Sequence, residues 1–143
     1  MTIPVFTGYE YPFSPEYMPM WGVFVLMIGA CVGSFLNVCI WRMPRYESVF
    51  FPKSHCPNCG RMIRACENIP MLSWIFLRGK CAGCGGRISF RYFMVEFATA
   101  VLFFLVWKKV TLAGMPLACA PLFFLVTMLL ITTVFIDFEH RII

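Results

Sequence analysis

Four cysteines in the middle of the chain have the spacing of metal ligands. They form two pairs, Cys56-Pro-Asn-Cys59 and Cys81-Ala-Gly-Cys84, and a glycine follows each pair. The turn inside such a pair lets both thiolates face one ion, and the glycine can take the positive φ that directs backbone N–H groups toward the sulfurs. We therefore expect a structural zinc site with four thiolate ligands and no open position for water.

Other uses of these thiols remain open from the sequence. A redox pair normally has a single Cys-x-x-Cys at the start of a helix in a βαβ setting, and no such setting is visible here. Disulfides are disfavoured in a reducing cytosol, and unligated thiols are the remaining alternative. His55 precedes Cys56 and is expected to be solvated rather than a spare ligand.

A second candidate chemistry lies where the last apolar run ends. Residues 110–136 carry no charge, and Asp137 and Glu139 follow them. Two neighbouring carboxyl groups can share a proton, because they cannot both ionise cheaply. Taken alone, Asp137 is more simply an ordinary carboxylate at a helix end. Residues i and i+2 of a helix point about 200° apart, so Glu139 is poorly placed to complete such a pair with Asp137.

The elements that hold these groups are predicted to be membrane helices. Hydrophobic residues make up 60% of the 143 residues and charged residues 13%, against roughly 25% charged residues in soluble domains. Residues 18–41 form a further uncharged run, whereas residues 97–107 are long enough only if their helix starts near Tyr92 and includes Glu96. The first run lacks the basic flank of a signal peptide, so we expect a retained helix.

The predicted fold class is therefore an all-α polytopic membrane protein with about three transmembrane helices and a zinc-ribbon-like loop. The prediction places an interfacial, extracytoplasmic segment at 1–17, helices at 18–41, 92–107 and 117–136, the four-cysteine loop at 42–91, an outer turn at 108–116 and the start of a cytoplasmic motif at 137–143.

Charge is distributed unevenly along the chain. Nine of the 12 Lys and Arg residues lie within 42–91, which predicts that this loop is cytoplasmic. Lys108 and Lys109 then lie outside, against the rule. Part of the basic excess offsets the four thiolates, and the rest suits anionic lipid headgroups of the bilayer. We therefore expect no nucleic-acid partner.

Several short strings are more specific than ordinary membrane sequence. They are Gly33-Ser34-Phe35-Leu36-Asn37-Val38, Arg42-Met43-Pro44, Asn68-Ile69-Pro70, Ser73-Trp74, Leu77-Arg78-Gly79-Lys80-Cys81, Ile88-Ser89-Phe90-Arg91-Tyr92, Val95-Glu96 and Ile136-Asp137. Over about residues 29–143 the chain resembles the bacterial type IV prepilin peptidases, the leader peptidases and N-methyltransferases of pilus and type II secretion systems. It departs from them at Phe93, where the family usually has proline.

The resemblance implies a membrane aspartic peptidase with two catalytic aspartates. Asp137 matches the first, in a motif resembling Asp137-x-x-x-Arg141-x-Ile143. The second belongs to a Gly-x-Gly-Asp motif, which these residues do not contain. The expectation is therefore an N-terminal part, truncated before the full motif and inactive alone, whose C-terminal half is in the same or another chain.

The resemblance also implies the substrate and the second reaction. The substrate would be a prepilin or pseudopilin, cleaved at the cytoplasmic face of the bacterial inner membrane. The new N-terminus would then be methylated with S-adenosylmethionine as donor. No glycine-rich cofactor loop of the familiar kind is present, so the residues that bind the donor are unknown.

A rival hypothesis is a membrane-anchored zinc-ribbon module that binds a partner and catalyses nothing. A Gly-x-Gly-Asp segment, in the same product or in a partner chain, would separate the two hypotheses.

Polar and small residues in the helices also carry predictions. Gly29 and Gly33 form a small-residue face for close packing, with the helix of Asp137 as a candidate neighbour. Asn37 is either an interhelical tie or part of the site. Glu96 is expected near the cytoplasmic headgroups, or paired with Arg91 or another basic loop residue.

Overall fold

The computed structural model describes residues 18–140. Four α-helices follow one another: α1 is Met18–Arg42, α2 is Leu72–Phe76, α3 is Phe90–Leu112 and α4 is Ala120–His140. Short 3-10 turns lie at Met43–Arg45, Ala65–Asn68 and Leu117–Cys119. Residues 18–140 contain no β-strand beyond two isolated bridges. The predicted segment 1–17 and the final residues 141–143 lie outside the described residues.

Three of these helices are long and apolar enough to cross a membrane. The candidate spans are Met18–Arg45, Phe90–Leu112 and Leu117–Glu139. The predicted all-α membrane class is therefore confirmed. The span of α3 includes Glu96, and the partners of that carboxylate are described below.

Helices α1 and α3 make the closest contact in the bundle. A Cβ atom added at Gly33 would lie 2.7 Å from the Cα of Glu96, and one added at Gly29 would lie 2.8 Å from the Cα of Ala100. No side chain larger than hydrogen fits at that separation, which explains the glycines. The small-residue face therefore contacts α3, and the prediction that it contacts the helix of Asp137 was wrong at these two positions.

Helix α4 joins this pair through apolar contacts. Leu36 and Ile40 of α1, Val95 of α3 and Ile131 of α4 form a buried cluster. Farther along the bundle, the rings of Phe103 and Phe124 are stacked with their centroids 4.4 Å apart. The rest of α4 is largely exposed, as expected of a helix whose remaining surface faces lipid or other apolar partners.

The chain leaves α1 through a tightly held turn. The buried guanidinium of Arg42 donates to the carbonyl of Ser48 at 2.8 Å and to that of Pro52 at 2.7 Å. A second arginine, Arg45, lies over the ring of Trp41 at 3.7 Å from its centroid. These contacts fix where the four-cysteine loop starts relative to the membrane helices.

Candidate metal and carboxylate sites

The first cysteine pair is held by its own backbone. The N–H of Cys56 donates to the carbonyl of Arg61 at 2.9 Å, and the N–H of Gly60 donates to the carbonyl of Cys56 at 2.9 Å. Gly60 has a φ of 69°, the left-handed conformation that glycine adopts without steric cost. Outside this turn the N–H of Ile63 donates to the carbonyl of Ser54, which closes a short hairpin.

The second pair repeats this arrangement with every residue number raised by 25 (56 to 81). The N–H of Cys81 donates to the carbonyl of Gly86, and the N–H of Gly85 donates to the carbonyl of Cys81. Gly85 also has a φ of 69°. The outer bond runs from the N–H of Ile88 to the carbonyl of Gly79 at 2.7 Å. Residues 54–88, here called the cysteine ribbon, thus consist of two equivalent turns and the segment that joins them.

The two turns bring four thiols together. The Sγ atoms of Cys56, Cys59, Cys81 and Cys84 all lie within 4.8 Å of one another, and those of Cys56 and Cys84 are 3.8 Å apart. A tetrahedral site with zinc–sulfur bonds of about 2.3 Å has sulfur–sulfur edges of about 3.8 Å. The cluster could therefore hold a metal ion, and its donor set and size fit zinc.

Backbone donors prepare the cluster for a cation. The N–H groups of Cys84 and Gly83 point at the sulfur of Cys81, the latter at 3.4 Å, and they lower the pKa of this thiol to about 6. Hydrogen bonds to the charged form favour ionisation of this thiol. A thiolate is the form that binds metal.

An arginine braces the two turns, and sequence reasoning missed it. Arg61 follows the first turn, yet its Cδ would lie 2.9 Å from a Cβ added at Gly83 in the second turn. Its Nη2 donates to Oε1 of Glu67 at 2.6 Å. That bond and the N–H of Arg64 lower the pKa of the Glu67 carboxyl below its ordinary value. The Arg61 brace therefore ties the joining segment to both cysteine turns.

The carboxylates predicted from the end of the last apolar run lie in the final turn of α4. Asp137 is half-buried, and Glu139 accepts a hydrogen bond from Nη1 of Arg91 at the start of α3. Arg91 was one of the partners considered for Glu96, and it pairs with Glu139 instead. Glu139 thus holds the end of α4 against α3.

Glu96 lies inside the bundle and has a different partner from those expected. Its carboxylate is buried, and Oε2 accepts the backbone N–H of Met71 at 2.7 Å. Met71 immediately precedes α2 and has a φ of 59°, which few residues without a glycine's freedom adopt. This bond holds the loop against the side of α3, six positions after the helix start at Phe90.

Asn37 is an interhelical tie. Its Nδ2 donates to the carbonyl of Tyr92 at 3.0 Å, and only 1% of its surface is exposed. Of the two predictions made for this residue, the structure therefore shows the tie between α1 and α3. The bond also satisfies a backbone carbonyl close to Arg91, so α1, α3 and α4 are all connected within one turn of the helix start.

Comparisons with known proteins agree with this architecture. A family model, Bacterial Peptidase A24 N-terminal domain, matches residues 27–110. That match covers the C-terminal part of α1, the cysteine ribbon and most of α3. No solved structure shows a significant match to the chain.

Several curated proteins are similar over most of the chain. A prepilin leader peptidase/N-methyltransferase of Myxococcus xanthus is 45% identical over 127 residues, covering 88% of this chain and 37% of the relative. One of Dichelobacter nodosus is 40% identical and covers 86% and 51%. A type 4 prepilin-like proteins leader peptide-processing enzyme of Escherichia coli is 38% identical and covers 89% and 51%. The chain thus spans about half the length of these relatives, or less.

Proposed function

The chain belongs to the family of the bacterial peptidase A24 N-terminal domain, and we propose that the protein acts as a prepilin leader peptidase and N-methyltransferase. In this proposal, residues 18–140 supply amino-terminal membrane helices, a zinc-bound ribbon and one catalytic carboxylate. The substrate is a type IV prepilin or pseudopilin, by analogy with the names of the relatives.

One observation carries the proposal furthest: the ribbon and Asp137 lie at the same end of the bundle. Cys84 is followed within seven positions by Arg91 at the start of α3, and Arg91 pairs with Glu139, two positions beyond Asp137. A substrate that approaches this end therefore meets both regions. A substrate whose own apolar helix lay in the bilayer would present its cleavage point at this depth.

Asp137 is proposed to act with a second carboxyl group outside this helix. One ionised carboxylate takes a proton from water, and one protonated carboxyl donates to the peptide carbonyl oxygen. The position of Asp137 suits this task, because the end of an apolar helix has access to water while apolar groups lower the local dielectric. The Arg91–Glu139 ion pair is proposed to keep that helix end in place.

The ribbon is proposed to bind zinc through its four cysteines and to serve as a scaffold. A site with four thiolates has no open position for water, so the metal supplies structure rather than a nucleophile. S-adenosylmethionine is proposed as the methyl donor from the methyltransferase names of the relatives. The basic surface of the ribbon argues against direct contact with a basic leader peptide.

We also propose the location. Three membrane-compatible helices make this a multi-pass membrane protein, and its relatives process prepilins. The basic loop between α1 and α3 is proposed to face the cytoplasm, in the inner membrane of a bacterium.

The test replaces Asp137 in the whole protein. Membranes that contain the Asp137→Asn variant should leave a prepilin uncleaved, because the amide cannot take a proton from water. Glu47→Gln is the matched control, since Glu47 is an exposed carboxylate of the same chain, and it should cleave normally. Cleavage by Asp137→Asn at the wild-type rate would refute the catalytic role of Asp137.

A further inference from the structure

The four-cysteine loop contains a short helix whose exposed side chains are unusually apolar for a segment in water. Helix α2 leaves three apolar side chains exposed: Leu72, Ile75 and Phe76, of which Phe76 is 79% exposed. Residues 68–77 carry no charge, although the rest of the loop is strongly basic. A cluster of exposed apolar side chains is costly in water and commonly marks an interaction surface.

Three contacts fix the depth of α2 along the bundle. The N–H of Met71 donates to Oε2 of Glu96, and a helix rises about 1.5 Å per residue, so Glu96 lies about 9 Å past the start of α3 at Phe90. The ring of Trp74 lies 5.3 Å from that of Phe90 and 5.5 Å from that of Phe93. Helix α2 therefore lies beside the first two turns of a candidate membrane span.

The apolar surface of α2 continues onto α3. The rings of Phe93 and Phe97 are stacked with their centroids 6.1 Å apart, and Phe97 is 48% exposed. This aromatic row leads directly from Trp74 onto the exposed side of the membrane helix. A surface continuous with the lipid-facing side of α3 is most simply covered by lipid.

The flank of α2 has the charge that a membrane surface requires. Arg78 and Lys80 follow the helix directly, and both are exposed. Basic residues at the edge of an apolar segment interact favourably with anionic headgroups, at about 1 kcal/mol each near the surface. Trp74 also donates its indole N–H to the carbonyl of Ile88. The N–H of Ile88 makes the outer hydrogen bond of the second cysteine turn, so α2 is connected to that turn.

We propose that α2 is a membrane anchor of the cysteine ribbon. Leu72, Ile75 and Phe76 lie among the acyl chains of the leaflet on the ribbon side, and Arg78 and Lys80 lie at the phosphates of its lipids. The ribbon is thereby held flat against the bilayer instead of extending into water. This inference rests on the packing of α2 and does not depend on the peptidase activity.

A photo-crosslinking experiment in native membranes tests the proposal. The benzophenone amino acid p-benzoylphenylalanine replaces Phe76 in one variant and the exposed Lys53 of the same loop in another. A third variant carries it at Leu105, which is 51% exposed in the middle of α3 and reports lipid contact. After irradiation, mass spectrometry of the purified protein identifies phospholipid adducts.

We expect lipid adducts at positions 76 and 105, with at least about fivefold less at position 53, because only a buried apolar anchor contacts acyl chains. A polypeptide adduct at position 76 would show that another protein segment covers α2 and would overturn the proposal. Adducts at position 105 but none at position 76 would show that the helix faces water and would overturn it equally. Zinc content, measured on each variant, confirms that the ribbon remains folded.

Discussion

The cysteine ribbon and the carboxylate end of α4 are built in opposite ways. Every backbone hydrogen bond described for a cysteine turn joins residues at most nine positions apart, and the same bonds occur in both turns. Asp137, by contrast, is placed by a helix whose end is held through Glu139 and Arg91, which are 48 positions apart. The ribbon should therefore tolerate changes in the membrane bundle, whereas the carboxylate end should be sensitive to any shift between helices.

The largest effect that would separate the two regions is expected from Cys56→Ser. Loss of one of four thiolates should leave less than about a tenth of the wild-type zinc after dialysis, because binding and folding of such ribbons are coupled. The amount of protein in the membrane should fall as well. Zinc per chain is measured by atomic emission.

Cys66→Ser is the control for this variant, since Cys66 is exposed and lies outside the cluster of four. It should keep its zinc. Unchanged zinc in Cys56→Ser would rule out the four-cysteine site.

The next largest effect is expected from Gly33→Ile, which should disturb the bundle and spare the ribbon. Its Cβ would lie 2.7 Å from the backbone of Glu96, so α1 and α3 must separate at a cost of about 1–3 kcal/mol. The thermal midpoint in detergent should fall while zinc per chain stays the same. Val23→Ile, at a position that is 57% exposed, should change neither, and an unaltered midpoint for Gly33→Ile would contradict the close packing.

A charge exchange tests whether the ion pair positions Asp137. Arg91→Glu alone should slow prepilin cleavage about fivefold, the equivalent of about 1 kcal/mol for a partly exposed pair. Arg91→Glu combined with Glu139→Arg should recover most of that loss, because the attraction is restored with opposite polarity. Zinc content should be constant throughout. A double variant that cleaves prepilin no faster than Arg91→Glu would show that the ion pair does not position Asp137.

The smallest effect concerns the Arg61 brace within the ribbon. Arg61 lowers the pKa of Glu67, so the bond stabilises the folded ribbon above the ordinary pKa of Glu, about 4.3. This stabilisation is lost as the pH falls through the lowered pKa of the folded state. The urea concentration at the unfolding midpoint should therefore be lower for Glu67→Gln than for wild type at pH 7. The difference between the two midpoints should disappear in acid.

Trp74 fluorescence can follow that unfolding, and Glu47→Gln provides the matched exposed control. A gap between wild type and Glu67→Gln that persists unchanged below the lowered pKa would show that charge is not its cause.

The sequence predicted local features better than distant ones. The all-α class and the grouping of Cys56, Cys59, Cys81 and Cys84 follow from short patterns, an uncharged run and a doubled Cys-x-x-Cys. The residues missed were those that act across the fold. Glu96 was expected near the cytoplasmic headgroups or paired with a basic residue, because a charge in a membrane helix is costly, yet a backbone N–H is its partner. No pattern in the sequence around Glu96 indicates that a backbone N–H 25 positions away is its partner.

The close contact of Gly33 with Glu96 was missed for a similar reason. A small-residue motif shows that a helix packs tightly but not against which neighbour, since α3 and α4 are both apolar. The Arg61 brace likewise crosses from one cysteine turn to the other. Arg61 reaches the second cysteine turn only because the two turns lie side by side in the folded ribbon.

The most direct test of the catalytic role of Asp137 is to determine which of the two regions contacts the cleavage point of the substrate. A prepilin with a photo-crosslinking amino acid at its cleavage point is mixed, in native membranes, with the Asp137→Asn protein, and the adduct is mapped by mass spectrometry. We expect crosslinks at the end of α4, around residues 136–140, because Asp137 is the proposed catalytic group. Crosslinks confined to the cysteine ribbon, residues 54–88, would contradict it.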